Sequence, residues 1–148
     1  MAEVISKVLV ATDGSKPAQK GVDFALSLKH AFPDAETTFL LVTRLPEVSA
    51  SEIASLGADV LDVAGIQDDM QLKSAYDAAK EAGVTRARFV KAPSGRNIAA
   101  AIIDYAEKED FDMIIMGSTG LTGVARMLIG SVASEVVAKA HCPVTVVR

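Results

Sequence analysis

Runs of apolar residues, several of them nearly uninterrupted, alternate with helical patterns along this chain of 148 residues. A strand that is apolar at successive positions is buried on both faces, which is typical of parallel strands covered by helices. The predicted strands lie at 4–12, 37–43, 86–91, 112–116 and 143–147. The main helical patterns lie at about 15–30, 68–82, 94 or 97 to 106, and 131–140. This alternation predicts a three-layer α/β fold, in which an open five-stranded parallel sheet carries helices on both faces.

The segment Gly117-Ser118-Thr119-Gly120 follows the fourth predicted strand, and Gly130-Ser131 opens the last predicted helix. Glycine lets a backbone approach an anion closely, and the unpaired N–H groups of a helix's first turn point at it with a favourable dipole. We therefore interpret the segment as a nucleotide or phosphate site, in which the glycines leave room for ribose and the first phosphates. The distal phosphates would meet the N–H groups of Ser131, Val132 and Ala133. The alternative is a loop whose glycines serve turn geometry alone.

The composition limits the partners of this chain. Its formal net charge is −4, and the absence of a Lys and Arg cluster argues against nucleic acid or an acidic membrane surface. The single cysteine, Cys142, excludes an internal disulfide and a cysteine-based zinc site. Met1–Val4 are too short for a signal peptide, and no apolar run reaches the length of a membrane span. We expect one domain over residues 1–148, located in the cytoplasm.

Four motifs resemble the pattern of one known family. The spacing Gly-x2-Gly-x9-Gly-Ser over 117–131 resembles the ATP-binding signature of the universal stress protein family. Val8–Ser15 is similar to the family's first strand and acidic turn, Phe111–Gly117 to its fourth strand, and Cys142–Val147 to its C-terminal strand. The four matches occur in the family's order and cover nearly the whole chain.

This resemblance implies a Rossmann-like fold of the adenine nucleotide alpha hydrolase type, with strand order 3-2-1-4-5. In an open parallel sheet a ligand lies beyond the carboxyl ends of the strands where the strand order reverses, here between the first and fourth strands. The implied ligand is ATP, and the implied assembly is a homodimer through an antiparallel contact of Val144–Val147. The implied nucleotide contacts are Val42, Gly117, Ser118, Thr119, Gly120, Gly123, Gly130, Ser131, Val132 and Ala133.

Asp13 follows the first predicted strand and supports two interpretations. As a structural residue it would close an Asx turn, because Asp is common before Gly in turns. As a functional residue it would accept bonds from a ribose or adenine, or help to hold Mg²⁺ that arrives with ATP. Its place at the carboxyl end of a central strand favours function. The strand-end residues Ala11, Thr12 and Met116 complete the candidate binding set.

The chain departs from the family pattern in two places. After the third strand the family often has a Gly-acidic-Pro turn, whereas residues 91–96 of this chain read Lys-Ala-Pro-Ser-Gly-Arg. We expect this change to add positive charge near the ligand, from Lys91 and Arg96. At the end of the second strand the family often has His-Val, and this chain has Leu41-Val42. Adenine recognition should therefore depend more on backbone groups than on a polar side chain.

The glycine segment indicates binding, but the sequence offers no strong catalytic group. It contains no Gly-Lys-Ser/Thr and no His-Arg-Asp, so the phosphate-clamping lysine and the catalytic aspartate of familiar ATP enzymes are missing. The leading hypothesis is an ATP-binding sensor or regulator in a stress response, with at most weak ATP hydrolysis. The alternative is a slow or partner-dependent ATP-hydrolysing enzyme of the same fold. A member that has lost nucleotide binding is a third hypothesis, which the intact glycine motif disfavours.

The last predicted strand also favours self-association. Val144–Val147 is rich in β-branched residues and uncharged, and no later element in the sequence would cover its outer edge. An exposed apolar edge invites pairing with another chain, and a two-fold axis lets the strand pair with its own copy. The alternative is an edge strand that the C-terminus blunts.

Overall fold

The computed structural model describes residues 5–45, 47–95, 97–119 and 129–148. The strands are β1 (Lys7–Ala11), β2 (Glu36–Arg44), β3 (Asp59–Val60), β4 (Ala87–Ser94), β5 (Met113–Gly117) and β6 (Val144–Val147). The helices are α1 (Lys16–Leu28), α2 (Ala50–Leu56), α3 (Val63–Gln67), α4 (Met70–Glu81), α5 (Ile98–Lys108) and α6 (Ser131–Lys139). No helix in these ranges is long and apolar enough to cross a membrane.

The strands form one sheet in the order β3-β4-β2-β1-β5-β6. The five strands from β4 to β6 pair in parallel, which confirms the predicted parallel sheet and the strand order that the resemblance implied. The sheet has six strands rather than the predicted five, because β3 adds an antiparallel pair at the edge of β4. The sequence did not indicate β3, since a strand of two exposed residues leaves no periodic pattern.

Both faces of the sheet are buried beneath helices. Val8 and Val10 of β1 lie in a core cluster with α1 and α4, whereas Leu9 and Ala11 lie in the opposite cluster with α5 and α6. Successive residues of β1 therefore face different helix layers, which explains why the strand is continuously apolar. The predicted three-layer arrangement is confirmed.

The end of β4 differs from the prediction. The strand continues to Ser94, whereas the sequence predicted an end at Lys91, because its last residues pair with β2 as far as Arg44. Ser94 therefore lies inside a strand and does not cap the following helix. Asn97 is the N-cap of α5, and its side-chain oxygen accepts the N–H of Ala100 at 3.0 Å.

Asp112, the residue before β5, forms hydrogen bonds with the beginning of β1 and the residue before it. Its Oδ2 accepts hydrogen bonds from the Ser6 N–H, the Ser6 hydroxyl and the Lys7 N–H, each at 2.9 Å. The Lys7 ammonium also lies 4.7 Å from the centre of the Phe111 ring. The hydrogen bonds, led by that from the Ser6 N–H, hold the pKa of Asp112 below its usual range although partial burial raises it. The ionised carboxylate thus stabilises this end of the sheet.

We expect Asp112→Asn to lower the Tm at neutral pH by about 2–4 °C, since losing a charged acceptor at an exposed site costs on the order of 1 kcal/mol. A carboxylate with a lowered folded pKa stabilises fully above its unfolded pKa of about 3.9, and this contribution is lost as pH falls through the folded pKa. The Tm difference should therefore shrink below about pH 4.

The control is Asp77→Asn, at an exposed carboxylate of α4 that has no hydrogen bond or ion pair within the described ranges. Thermal unfolding followed by circular dichroism across the pH range measures both variants. Equal Tm changes in the two variants at neutral pH would contradict the role of Asp112.

Candidate functional site

The strand order reverses between β1 and β5, and both strands end at the same edge of the sheet, which is where a ligand crevice is expected in an open parallel sheet. Ala11 and Met116 are partners across this step, and both are buried, which makes them the floor of the crevice. β2 runs past Leu40, the partner of Ala11, and ends only at Arg44. Val42 lies in this extension and packs against the α5 and α6 side of the core. The end of β2 therefore lines one side of the crevice.

Three hydrogen bonds fix the turn after β1. The Thr12 N–H donates to the Leu40 carbonyl oxygen at 2.9 Å, and the Thr12 hydroxyl accepts the N–H of Gly14 at 3.2 Å. Asp13 Oδ1 accepts the Ser15 N–H at 2.9 Å, and Ser15 is the N-cap of α1. Gly14 has a φ of +80°, which favours glycine. The Asx turn that the sequence suggested is present.

Asp13 has a structural role that uses only one of its two carboxylate oxygens. Oδ1 closes the turn, and Oδ2 has no hydrogen-bond partner among the residues that the structure describes. The two interpretations of Asp13 are therefore compatible. Among all the residues that the structure describes, no group of three or more His, Cys, Asp or Glu side chains could hold a metal ion. Mg²⁺ at Asp13 would need nucleotide oxygens and water as its other ligands, which is a common way of binding Mg²⁺.

Gly117 serves a close contact between β5 and α1, which differs from the role that the sequence suggested. A Cβ at this position would lie 2.4 Å from the Pro17 carbonyl oxygen and 3.1 Å from the Ala18 Cα. Gly21 belongs to the same contact, because its Cβ would lie 3.1 Å from the Gly117 nitrogen. The backbone of α1 therefore requires glycine at 117 whether or not a ligand is bound.

Hydrogen bonds join the two ends of the glycine segment (residues 117–131), and this junction is called its base below. The Gly130 N–H donates to the Ser118 carbonyl oxygen at 2.6 Å, and the Ser118 N–H donates to the Val147 carbonyl oxygen at 2.9 Å. A Cβ on Gly130 would lie 3.2 Å from the Ser118 oxygen and 3.4 Å from the Thr119 Cα, so glycine lets the two ends approach. Three candidates from the sequence lie outside the described residues: Arg96, Gly120 and Gly123.

α6 begins at Ser131 without a side-chain cap, because its N-cap is Gly130. The first N–H groups of a helix have no partner within the helix, so those of Ser131, Val132 and Ala133 are left for a ligand. Ser131 is exposed, whereas Ala133 is buried and can contribute only its backbone N–H. The first turn carries no acidic residue, so the helix dipole there favours an anion.

The beginning of α4 borders the turn after β1, which sequence reasoning missed. Gln71 Nε2 donates to the Asp13 carbonyl oxygen at 3.2 Å, across 58 residues of sequence. Asp69 and Lys91 form an ion pair of 2.8 Å next to it. The expectation that Lys91 adds positive charge near the ligand is wrong, since its ammonium pairs with Asp69. The contact of Gln71 leaves no local signal, because it joins residues that are distant in the sequence.

We expect Gly117→Ala to lower the Tm by about 2–12 °C, because the added methyl group overlaps the Pro17 backbone and such overpacking costs about 1–3 kcal/mol. Gly95→Ala is the matched control, since nothing lies within 4 Å of its Cβ position. Its Tm should stay within about 1 °C of the parent. Equal Tm values for the two variants in differential scanning calorimetry would rule out the contact described for Gly117.

Comparisons with known proteins point to one family. The sequence model described as Universal stress protein family matches residues 5–148. Universal stress protein MJ0531 of Methanocaldococcus jannaschii is 32% identical over 148 residues, which cover 96% of this chain and 81% of that protein. Universal stress protein YxiE of Bacillus subtilis is 30% identical over 154 residues, which cover 98% of this chain and 100% of that protein. A solved universal stress protein in complex with cAMP is 25% identical with a TM-score of 0.67, covering 99% of this chain and 98% of that chain.

Proposed function

Because this chain belongs to the universal stress protein family, we propose that it binds an adenine nucleotide in the crevice between β1 and β5, with ATP as its own ligand. In this proposal the protein is a nucleotide-dependent sensor or regulator of a stress response in the cytoplasm, and it acts by binding rather than by fast turnover. The solved family member in complex with cAMP supports the class of ligand.

The uncapped first turn of α6 is the observation that carries this proposal. Its N–H groups open next to the base of the glycine segment, where Gly130 places no side chain that would compete with a ligand. The helix dipole contributes only about 0.3–1 kcal/mol at an exposed site, so several N–H contacts must act together. The N–H groups of Ser131, Val132 and Ala133 supply such a set for phosphate oxygens.

The other side of the crevice offers groups for the nucleoside. Oδ2 of Asp13 would accept a ribose hydroxyl or help to hold Mg²⁺ on the phosphates, and Val42 would border the adenine. The residue before Val42 is Leu41, which is apolar and buried and therefore offers no polar side chain to the base. Recognition of adenine would then depend on the backbone groups at the end of β2.

We expect Ser131→Pro to weaken ATP binding by about tenfold to hundredfold, because it removes one N–H that would donate to a charged phosphate oxygen. Proline is well accepted at the first helical position, and Gly130 already has the extended backbone that a residue before proline needs, with φ −60° and ψ 160°. The variant should therefore keep the Tm of the parent. Isothermal titration calorimetry with ATP, AMP and cAMP measures the affinities.

Ser131→Ala is the control, because it removes the hydroxyl group and keeps the N–H. It should weaken ATP binding by less than Ser131→Pro, by about tenfold at most, since a hydrogen bond from a neutral hydroxyl contributes about 0.5–1.5 kcal/mol. Equal affinities of the parent and of Ser131→Pro would show that α6 does not hold the phosphates. A parent that binds none of the three nucleotides would refute the proposed function.

We also propose that β6 joins two copies of the chain. β6 is the last strand in the sheet order, and all of its residues are only partly buried. The carbonyl oxygens of Pro143 and Val147 face β5, where they accept hydrogen bonds from the N–H groups of Ile114 and Ser118. Because bonding groups alternate along a strand, the N–H groups of Val144 and Val146 point to the open edge. An antiparallel copy of β6 around a two-fold axis would pair with them.

We expect Val146→Pro to convert a dimeric parent into a folded monomer, since proline removes an N–H of the open edge and leaves the bonds to β5 intact. Val146→Ala is the control for lost side-chain volume, and it should remain dimeric. Size-exclusion chromatography with light scattering at one fixed protein concentration reports the mass of each variant. A parent that elutes at monomer mass would contradict the dimer.

A further inference from the structure

The start of α4 lies directly against the turn that follows β1. Gln71 Nε2 donates to the Asp13 carbonyl oxygen at 3.2 Å. A Cβ on Gly14 would lie 2.9 Å from both the Cα and the carbonyl oxygen of Gln71, so the backbone of the turn touches the backbone of α4. Gly14 has a φ of +80°, a region that glycine alone enters freely. One residue of α4 therefore contacts both ends of the peptide unit that joins Asp13 to Gly14.

A largely buried carboxylate holds Gln71 in turn. Asp69 caps α4, and its Oδ1 accepts the N–H groups of Gln71 and Leu72, each at 3.0 Å. Its Oδ2 lies 2.8 Å from Lys91 Nζ on β4, and the Asp69 side chain is only 10% exposed. Burial raises the pKa of Asp69, but the bonds from Lys91 and from the Leu72 N–H outweigh this effect and lower the pKa overall. Leu72 is fully buried and anchors this turn of α4 in the core.

We propose that Gln71 is a positioning residue of the nucleotide site, and that the ion pair between Asp69 and Lys91 holds it in place. The inference rests on the proposed function, because the turn that Gln71 positions belongs to that site. By bonding to the Asp13 carbonyl oxygen, Gln71 fixes the peptide unit after Asp13 and with it the direction of the Asp13 side chain. Oδ1 is occupied by the Ser15 N–H, so a fixed turn presents Oδ2 to the ligand.

The ion pair gives a role to one departure from the family pattern. Lys91 replaces part of the turn that the family often has after its third strand, and here it belongs to β4, which continues to Ser94. Its ammonium is 2.8 Å from Asp69, so its positive charge acts on the start of α4 rather than on a phosphate. The substitution thus changes how the turn is supported and leaves the phosphates to backbone donors.

The test compares Gln71→Met with Gln67→Met in the full chain. Methionine keeps the length of the side chain and removes the donor, and Gln67 is an exposed residue of α3 without a side-chain hydrogen bond in the described part of the chain. We expect Gln71→Met to weaken ATP binding by about threefold to tenfold, as measured by calorimetry, because one neutral hydrogen bond is lost. Its Tm should stay within about 2 °C of the parent, as for most exposed substitutions.

A second measurement follows the turn without any nucleotide. The Ser15 amide proton donates to Asp13 Oδ1, so its hydrogen exchange, measured by NMR, reports whether the turn opens. We expect faster exchange at Ser15 in Gln71→Met and the parent rate in Gln67→Met. Equal affinity and equal exchange in Gln71→Met and the parent would overturn the inference. If the parent binds no ATP, AMP or cAMP, the proposed function fails, and the exchange rates alone decide whether Gln71 holds the turn.

Lys91 supplies the third arm of the test. Lys91→Met removes the partner of Asp69 and should weaken ATP binding in the same direction as Gln71→Met. Lys91→Arg keeps a cation within reach of Asp69 and should restore the parent affinity. A purely structural role would lower the Tm of Lys91→Met without changing its affinity for ATP, and that outcome would remove the ion pair from the inference.

Discussion

The close approach of α1 to β5 is the constraint on which the crevice depends. α1 begins directly after the Asp13 turn, and β5 ends at Gly117, the first residue of the glycine segment, so their contact sets the distance between the two turns. Gly21 and Gly117 allow it, because a Cβ at either position would lie within 3.1 Å of backbone atoms of the other element. A side chain at either glycine would push the helix from the strand and widen the crevice. These glycines therefore shape the site through the packing of α1 against β5.

The site is built mainly from backbone groups. The turn after β1 and the base of the glycine segment are held by N–H groups, carbonyl oxygens and short polar side chains, and the start of α6 offers unpaired N–H groups. The nearby cation of Lys91 is neutralised by Asp69. This agrees with a chain of net charge −4, which has no basic cluster for an anion. Recognition would depend on the direction of donors that the fold fixes, and less on the attraction between whole charges.

Much of the fold could be predicted from the sequence, because its signals are local. The continuous apolar pattern of β1 follows from burial on both faces, and Ser15 sits where a helix N-cap is expected. The strand order came from the family resemblance and not from the pattern itself. β3 and the last residues of β4 were missed because pairing with a neighbouring strand defines them, and Ala-Pro-Ser reads locally as a turn.

The candidate site was only partly predictable, for the same reason. The Asx turn at Asp13 and the uncapped start of α6 lie within a few residues of their own signals. The contacts of Gly117 with Pro17 and of Gln71 with Asp13 join segments that are distant in sequence, so the sequence indicated neither of them. Residue type alone cannot separate a glycine that faces a ligand from one that faces a helix.

The hydrogen bond between Gly130 and Ser118 has a consequence for how such a protein can diversify. It holds the two ends of the intervening segment together. The hydrogen bond from the Ser118 N–H to the Val147 carbonyl oxygen places this junction beside β6. Closing a longer segment between fixed ends costs little, at about 0.6 kcal/mol for each doubling of its length. A change in the length of the connection between these two residues therefore need not, through loop closure alone, move β5, β6 or the start of α6.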